Sequence, residues 1–316
     1  MKKRLAALFL VLMAVLSMTA CGEKPARDNS GSYYTFQDSL GNQVSLSEKP
    51  QKVAVLFSSY ADIWNLSGGS VDITVGESVE RGFASDECIL VDSGSGHSSI
   101  DMESLVARQP DLVIGTADYE SQVEAVDFCR QQGIPAASFK VESFEDYLSV
   151  LRIFCDINQN EDAYRQYGTQ VQENIDKIFQ NLPQDRQAKK ILFIRSGSGA
   201  SSAKAKTYKE NFACAMLKEL GTENIAEQAP ALLDGLSLEE ILVSQPDYIF
   251  ITTMGDEQAA KDYIMSLFDS EGWRRLDAVK NGNYAFLPKD LFHYKPNASW
   301  DKAYGMLADL LYGEKR

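Results

Sequence analysis

Histidine is nearly absent from this chain. Only His97 and His293 occur in 316 residues, so a hydrolytic triad would have to be built on one of them, and neither sits beside a nucleophile motif. A divalent-metal site of three or four clustered ligands is disfavoured for the same reason. The five cysteines contain no Cys-x-x-Cys, which argues against structural zinc. No Walker motif and no His-Glu-x-x-His is present. Gly94-Ser95-Gly96 lacks the third glycine and the preceding strand of a dinucleotide fingerprint, and Ser196-Gly197-Ser198-Gly199 carries Arg195 where a nucleophile elbow needs glycine. Positive charge is also short, with 31 Lys+Arg against 45 Asp+Glu and a net charge of −14. That balance argues against a nucleic-acid partner. Beyond the N-terminus no apolar run approaches the roughly 18 residues of a membrane helix. The reading is of a non-enzyme with no catalytic cofactor.

What is present starts with a leader. Lys2, Lys3 and Arg4 precede an apolar run from Leu5 to Met18, too short to cross a hydrocarbon core of about 30 Å. It has the form of a secretory signal. Met18-Thr19-Ala20-Cys21 looks like a lipobox, with small residues before a cysteine that is acylated and becomes the mature N-terminus. Residues 1–20 are thus expected to be removed, and 21–32 to form a lipidated tether. Removal takes three positive charges and no acid, leaving a formal charge of −17. The expected location is extracytoplasmic, anchored through Cys21. Cys88, Cys129, Cys155 and Cys214 are expected as buried thiols, with one disulfide as the alternative.

Hydrophobic residues make up 44% of the chain, enough for two cores. Tyr33 to Leu46 reads as a β-hairpin turning at Leu40-Gly41-Asn42. Lys52 to Phe57 reads as a buried parallel strand, Tyr60 to Leu66 as a helix ending at Gly68-Gly69, and Val71 to Val75 as a second strand. Further along, Asp101 to Thr116 aligns without gaps to Ser237 to Thr252. Glu103 matches Glu239, Gln109-Pro110-Asp111 matches Gln245-Pro246-Asp247, and Thr116 matches Thr252. Each copy reads as a short amphipathic helix, a Pro-Asp turn and a buried strand, which indicates a duplicated α/β lobe. Between the copies, Tyr164, Tyr167, Val171, Ile175, Ile178 and Phe179 recur at helical spacing. The expected fold is α/β: two Rossmann-like lobes, over 33–157 and 183–316, joined by one long helix over 158–182, with a ligand cleft between them.

The ordered set Asp38-Ser39-Leu40-Gly41-Asn42, Pro50-Gln51-Lys52-Val53, Met102-Glu103, Gln109-Pro110-Asp111 and its C-terminal echo, Trp273 and Val279-Lys280-Asn281-Gly282-Asn283 resembles the class III substrate-binding proteins of ABC importers, over about Thr35 to Leu311. The resemblance implies a monomer that holds a ferric siderophore, haem or cobalamin in the cleft and delivers it to permease and ATPase subunits. It also implies that one exposed Glu on each lobe, here Glu103 and Glu239, docks on the permease.

Ligands of open α/β sheets sit beyond the carboxyl ends of the strands. That rule selects five segments, Phe57 to Tyr60, Gly94 to Ser99, Gly115 to Tyr119, Arg195 to Phe212 and Asp290 to Trp300. Within them the candidate contacts are Ser59, Tyr60, His97, Tyr119, Arg195, Lys204, Lys206, Tyr208, Phe292, His293 and Tyr294. The basic group after Ile191 to Ile194 suggests an anionic ligand. Haem-binding relatives place an axial ligand close to the position of His97, although the residues around it differ here. Were the ligand haem, His97 and His293 would be the candidate iron ligands; a wrapped siderophore would use them as hydrogen-bond donors. Two other readings stay open: a lipid-anchored hydrolase, and a divalent-metal-binding protein of related fold.

Overall fold

A computed structural model describes residues 31–92 and 99–313. The leader, Cys21, the tether and His97 lie outside the described residues. Two antiparallel strands open the fold, β1 (Tyr34–Gln37) and β2 (Gln43–Leu46). Asp38 organises their turn: its Oδ1 accepts the Leu40 and Asn42 amides at 3.0 and 2.8 Å, while Gly41 takes φ +84°, a conformation that excludes most side chains. The same carboxylate pairs with Arg130 and accepts the Ser138 amide, which pins the hairpin to the sheet behind it.

The first sheet contains β3 (Val53–Val55), β4 (Ile73–Thr74), β5 (Ile89–Leu90), β6 (Leu112–Thr116) and β7 (Ala136–Phe139), all parallel, in the order β5-β4-β3-β6-β7. The second contains β8 (Lys189–Ser196), β9 (Lys204–Ala205), β10 (Thr222–Asn224), β11 (Tyr248–Thr253) and β12 (Tyr284–Phe286). Its path is β10-β8-β11-β12, parallel throughout, with β9 folded back antiparallel on β8. The continuous apolar runs follow from burial of both faces. Val53 and Val55 face the shared core and Ala54 the outer one; Ile191 and Phe193 likewise face inward, Leu192 and Ile194 outward.

The two repeat copies do the same job in each sheet. The helices Met102–Ala107 and Leu238–Ser244 end at Gln109 and Gln245, which turn left-handed at φ 50° and 44° before a buried proline. Asp111 then accepts the Gln51 and Lys52 amides, both at 2.8 Å, and Asp247 accepts the Lys190 amide at 2.8 Å. Each aspartate fixes the register of its strand against the neighbouring one.

The connecting segment departs from a single uniform helix. A helix over Phe144–Asn158 ends where Gln159 adopts φ 56°, and Asn160 caps a new one. That second helix starts at Glu161, widens to a π-turn over Arg165–Thr169, and continues over Gln170–Gln180. The Tyr167 carbonyl bonds the Tyr147 hydroxyl at 2.9 Å. Gly168 lets the two helices approach closely: a Cβ there would lie 3.1 Å from Leu148 Cδ2. The last helix, Trp300–Tyr312, packs on Gln170–Gln180 through Asn174 to Asp301 at 2.8 Å and Phe179 against Tyr304. Trp300 is fully buried between Phe144 and Phe212, so one apolar core runs from the hairpin through both lobes. Cys88, Cys129, Cys155 and Cys214 are free thiols.

Candidate ligand site between the lobes

The carboxyl ends of the two sheets face each other across a cavity of about 340 Å³. From the first lobe it is lined by Phe57 after β3, Glu77 after β4, Asp118 and Tyr119 after β6, and Glu142 after β7. From the second come Arg195 at the end of β8, Glu210 to Phe212, Thr252, and the segment Phe292 to Lys295. The strand-end rule thus places Tyr119, Arg195, Phe292, His293 and Tyr294 together.

It does not place all of them. Tyr60 is fully buried against Phe57 and Phe139, and Ser59 is buried in the first turn of the helix Ser58–Leu66; Phe57, one strand-end residue earlier, lines the cavity instead. The basic group is scattered. Lys204 pairs across β9 with Arg195, Lys206 is held at the backbone by Phe193, and Tyr208 lies under the Lys218 ammonium beside a separate pocket. Lys204, Lys206 and Tyr208 are not in the lining: β9 runs back from the carboxyl end of β8, which sets Lys206 level with Phe193, and Tyr208 lies at the separate pocket. The sequence reading missed four acids, Glu77, Asp118, Glu142 and Glu210, and Lys295. The strand-end rule applied to every strand, β4 and β7 included, would have selected Glu77 and Glu142; Asp118, Glu210 and Lys295 lay inside segments already selected but were not singled out as ligand contacts.

His293 stands edge-on to Tyr294, with ring centroids 4.9 Å apart. Burial, reinforced by the cations Arg195, Lys289 and Arg81 and opposed by Glu77, lowers its pKa to about 4, so the imidazole is neutral at pH 7 and keeps a lone pair. Arg195 forms no ion pair among the described residues, and its Nε is buried without a hydrogen-bond partner. Arg81 stacks 3.8 Å over the Tyr294 ring and donates to the Ser58 hydroxyl at 2.8 Å, while Ser58 bonds Glu77. Burial lowers the Lys295 pKa, and Asp118, 3.7 Å away across the cleft, opposes the shift.

The segment that carries His293 also straps the lobes together. Three residues beyond Tyr294, fully buried Asn297 holds φ 49° and donates to the Ser59 carbonyl and to Asp62, both at 2.8 Å. Burial raises the pKa of Asp62, and the Asn297 bond opposes that shift.

Glu103 and Glu239 are both exposed in the first turn of the two repeat helices. Among the described residues no group of three or more His, Cys, Asp or Glu is arranged to hold a metal ion, and no helix is long and apolar enough to cross a membrane.

A family model described as periplasmic binding protein matches residues 53–291. The chain belongs to the periplasmic binding protein family. No curated protein matches it by sequence. Among solved structures, Staphylococcus aureus SirA complexed with staphyloferrin B is 15% identical with a TM-score of 0.64, covering 88% of this chain and 97% of that one. S. aureus IsdE complexed with haem is 15% identical, TM-score 0.65, covering 83% and 98%. The siderophore-binding protein BauB, bound to two acinetobactin molecules and ferric iron, is 17% identical, TM-score 0.69, covering 89% and 99%. These matches establish the two-lobe fold, and the resemblance read from the sequence stands.

Proposed function

We propose that this periplasmic binding protein is the lipid-anchored capture component of an ABC importer, taking an iron chelate, either a ferric siderophore or haem, from outside the cell. The observation that carries the reading is the cavity at the facing strand ends, where a neutral imidazole, a guanidinium with no ion pair among the described residues and aromatic rings converge. The hydrolase alternative is weaker, because the lining offers His293 no Ser or Cys nucleophile among the described residues. The visible spectrum of protein purified from its native medium tests the ligand. A Soret band lost in His293→Ala identifies haem. Thermal stabilisation of a colourless protein by a ferric siderophore identifies the chelate. Stabilisation by a corrinoid alone would redirect the assignment.

Glu103 and Glu239 occupy equivalent positions in the two repeats, which suits docking on two related permease subunits, with the ATPase beyond them. Charge reversal at both is expected to abolish uptake and leave ligand affinity intact; sustained uptake would refute the docking role. The anchor is Cys21, whose replacement by Ser should release a monomer into the medium.

A further inference from the structure

We propose that the cavity selects a dipolar ferric chelate: its anionic donors face Arg195, and a cationic arm, such as an ammonium group, faces Glu142 on the opposite wall. The inference rests on the reading of this cavity as an iron-chelate site and assigns the chemistry of its ligand.

Charge in the lining is segregated by lobe. The first lobe supplies Glu77, Asp118 and Glu142 and no Lys or Arg, whereas the second supplies Arg195 and Lys295 against Glu210. The residues Ser93 to Ser98 add no acid, Lys or Arg to this tally by sequence.

The partners of each group decide which are available to a ligand. Glu77 is engaged by Ser58, and Asp118 by Lys295. Glu210 accepts the amide and hydroxyl of Thr207 in its own turn. Glu142 forms a direct ion pair with Lys140 at 3.0 Å, the two side chains being 51% and 45% exposed, and also attracts Lys295 through space. An ion pair so exposed is readily exchanged for a ligand cation brought into a drier cleft. Arg195 is its counterpart, a guanidinium whose buried Nε lacks an acceptor among the described residues, the kind of donor that an anionic oxygen completes. A porphyrin presents apolar faces and anionic propionates, and its entry would desolvate Glu142 and add negative charge beside the acidic wall without supplying a cation. Simple anionic chelates meet the same obstacle.

The test is calorimetric titration of the folded chain with a linear ferric trishydroxamate bearing a free ammonium terminus and with its N-acetylated form. The ammonium chelate is expected to bind at least about tenfold more tightly. Glu142→Gln should erase that ratio, while Arg195→Met should weaken both chelates and preserve it. Raising the salt concentration should shrink the ratio. Equal affinity for the two forms, a ratio unchanged in Glu142→Gln, or tighter binding of haemin or a trianionic ferric tris-catecholate would each overturn the inference while leaving the iron-chelate reading in place. Failure of all four probes to bind would overturn that reading as well.

Discussion

His293 shows how one side chain's surroundings set its chemistry. It is a half-buried imidazole hemmed in by Arg195, Lys289 and Arg81, with Glu77 as the opposing charge, and its pKa falls to about 4. Because the folded value lies below the unfolded value of roughly 6.5, the unfolded chain binds the extra proton between the two. The stability held by neutral His293 is therefore complete above about pH 6.5 and is lost as pH falls towards 4. Discounted for solvent screening at a partly exposed site, the loss is on the order of 1–2 kcal/mol. Melting temperatures of His293→Gln across this window should fall less steeply than those of the parent chain; parallel curves would show that His293 does not contribute.

At the scale of elements, the strap after the helix Lys289–Phe292 joins ligand contact to lobe geometry. Asn297→Ala removes two interlobe hydrogen bonds and places a Cβ residue without a helpful polar group at φ 49°. We expect a loss of about 2–4 kcal/mol, summing a buried hydrogen-bond deficit and left-handed strain. Asn297→Gly keeps the backbone comfortable but not the bonds, and should recover about 1 kcal/mol of that loss. Chemical denaturation reads both, and identical values for Ala and Gly would remove strain from the account. The left-handed Gln109 and Gln245 are a related case: proline after each closes the α region, and the following aspartate ties the strand to its neighbour. The π-turn at Arg165–Thr169 escaped the periodicity of the connecting helix, because helical spacing of apolar residues does not register one extra residue in a turn.

For the whole molecule, the shared core matters most. Phe36 of the hairpin, Phe139 of β7, Phe193 of β8 and Trp300 belong to one apolar cluster, so neither sheet is sealed without the other. Calorimetry should record one cooperative unfolding transition, and two resolved transitions would contradict a common core. Trp300→Ala, which empties the space between Phe144 and Phe212, should lower stability by about 3–5 kcal/mol and still leave one transition.

Local chemistry was legible from the chain alone. Alternation and apolar runs marked the strands, the Gln-Pro-Asp repeat marked two equivalent lobes, and strand-end logic found Tyr119, Arg195, His293 and Tyr294, because each of these signals depends on neighbours close in sequence. Tertiary structure decided what depends on distant partners. The fold-back of β9 carried Lys206 back from the strand ends, Lys204 and Tyr208 also fall outside the cavity lining, and packing buried Tyr60. It also brought Glu77, Asp118 and Glu142 of one lobe opposite Arg195 of the other, converting a basic loop in the sequence into a cavity with an acidic and a basic wall. No sequence pattern encodes that pairing, since the sign of a wall depends on which side chains from separate strands converge across the cleft.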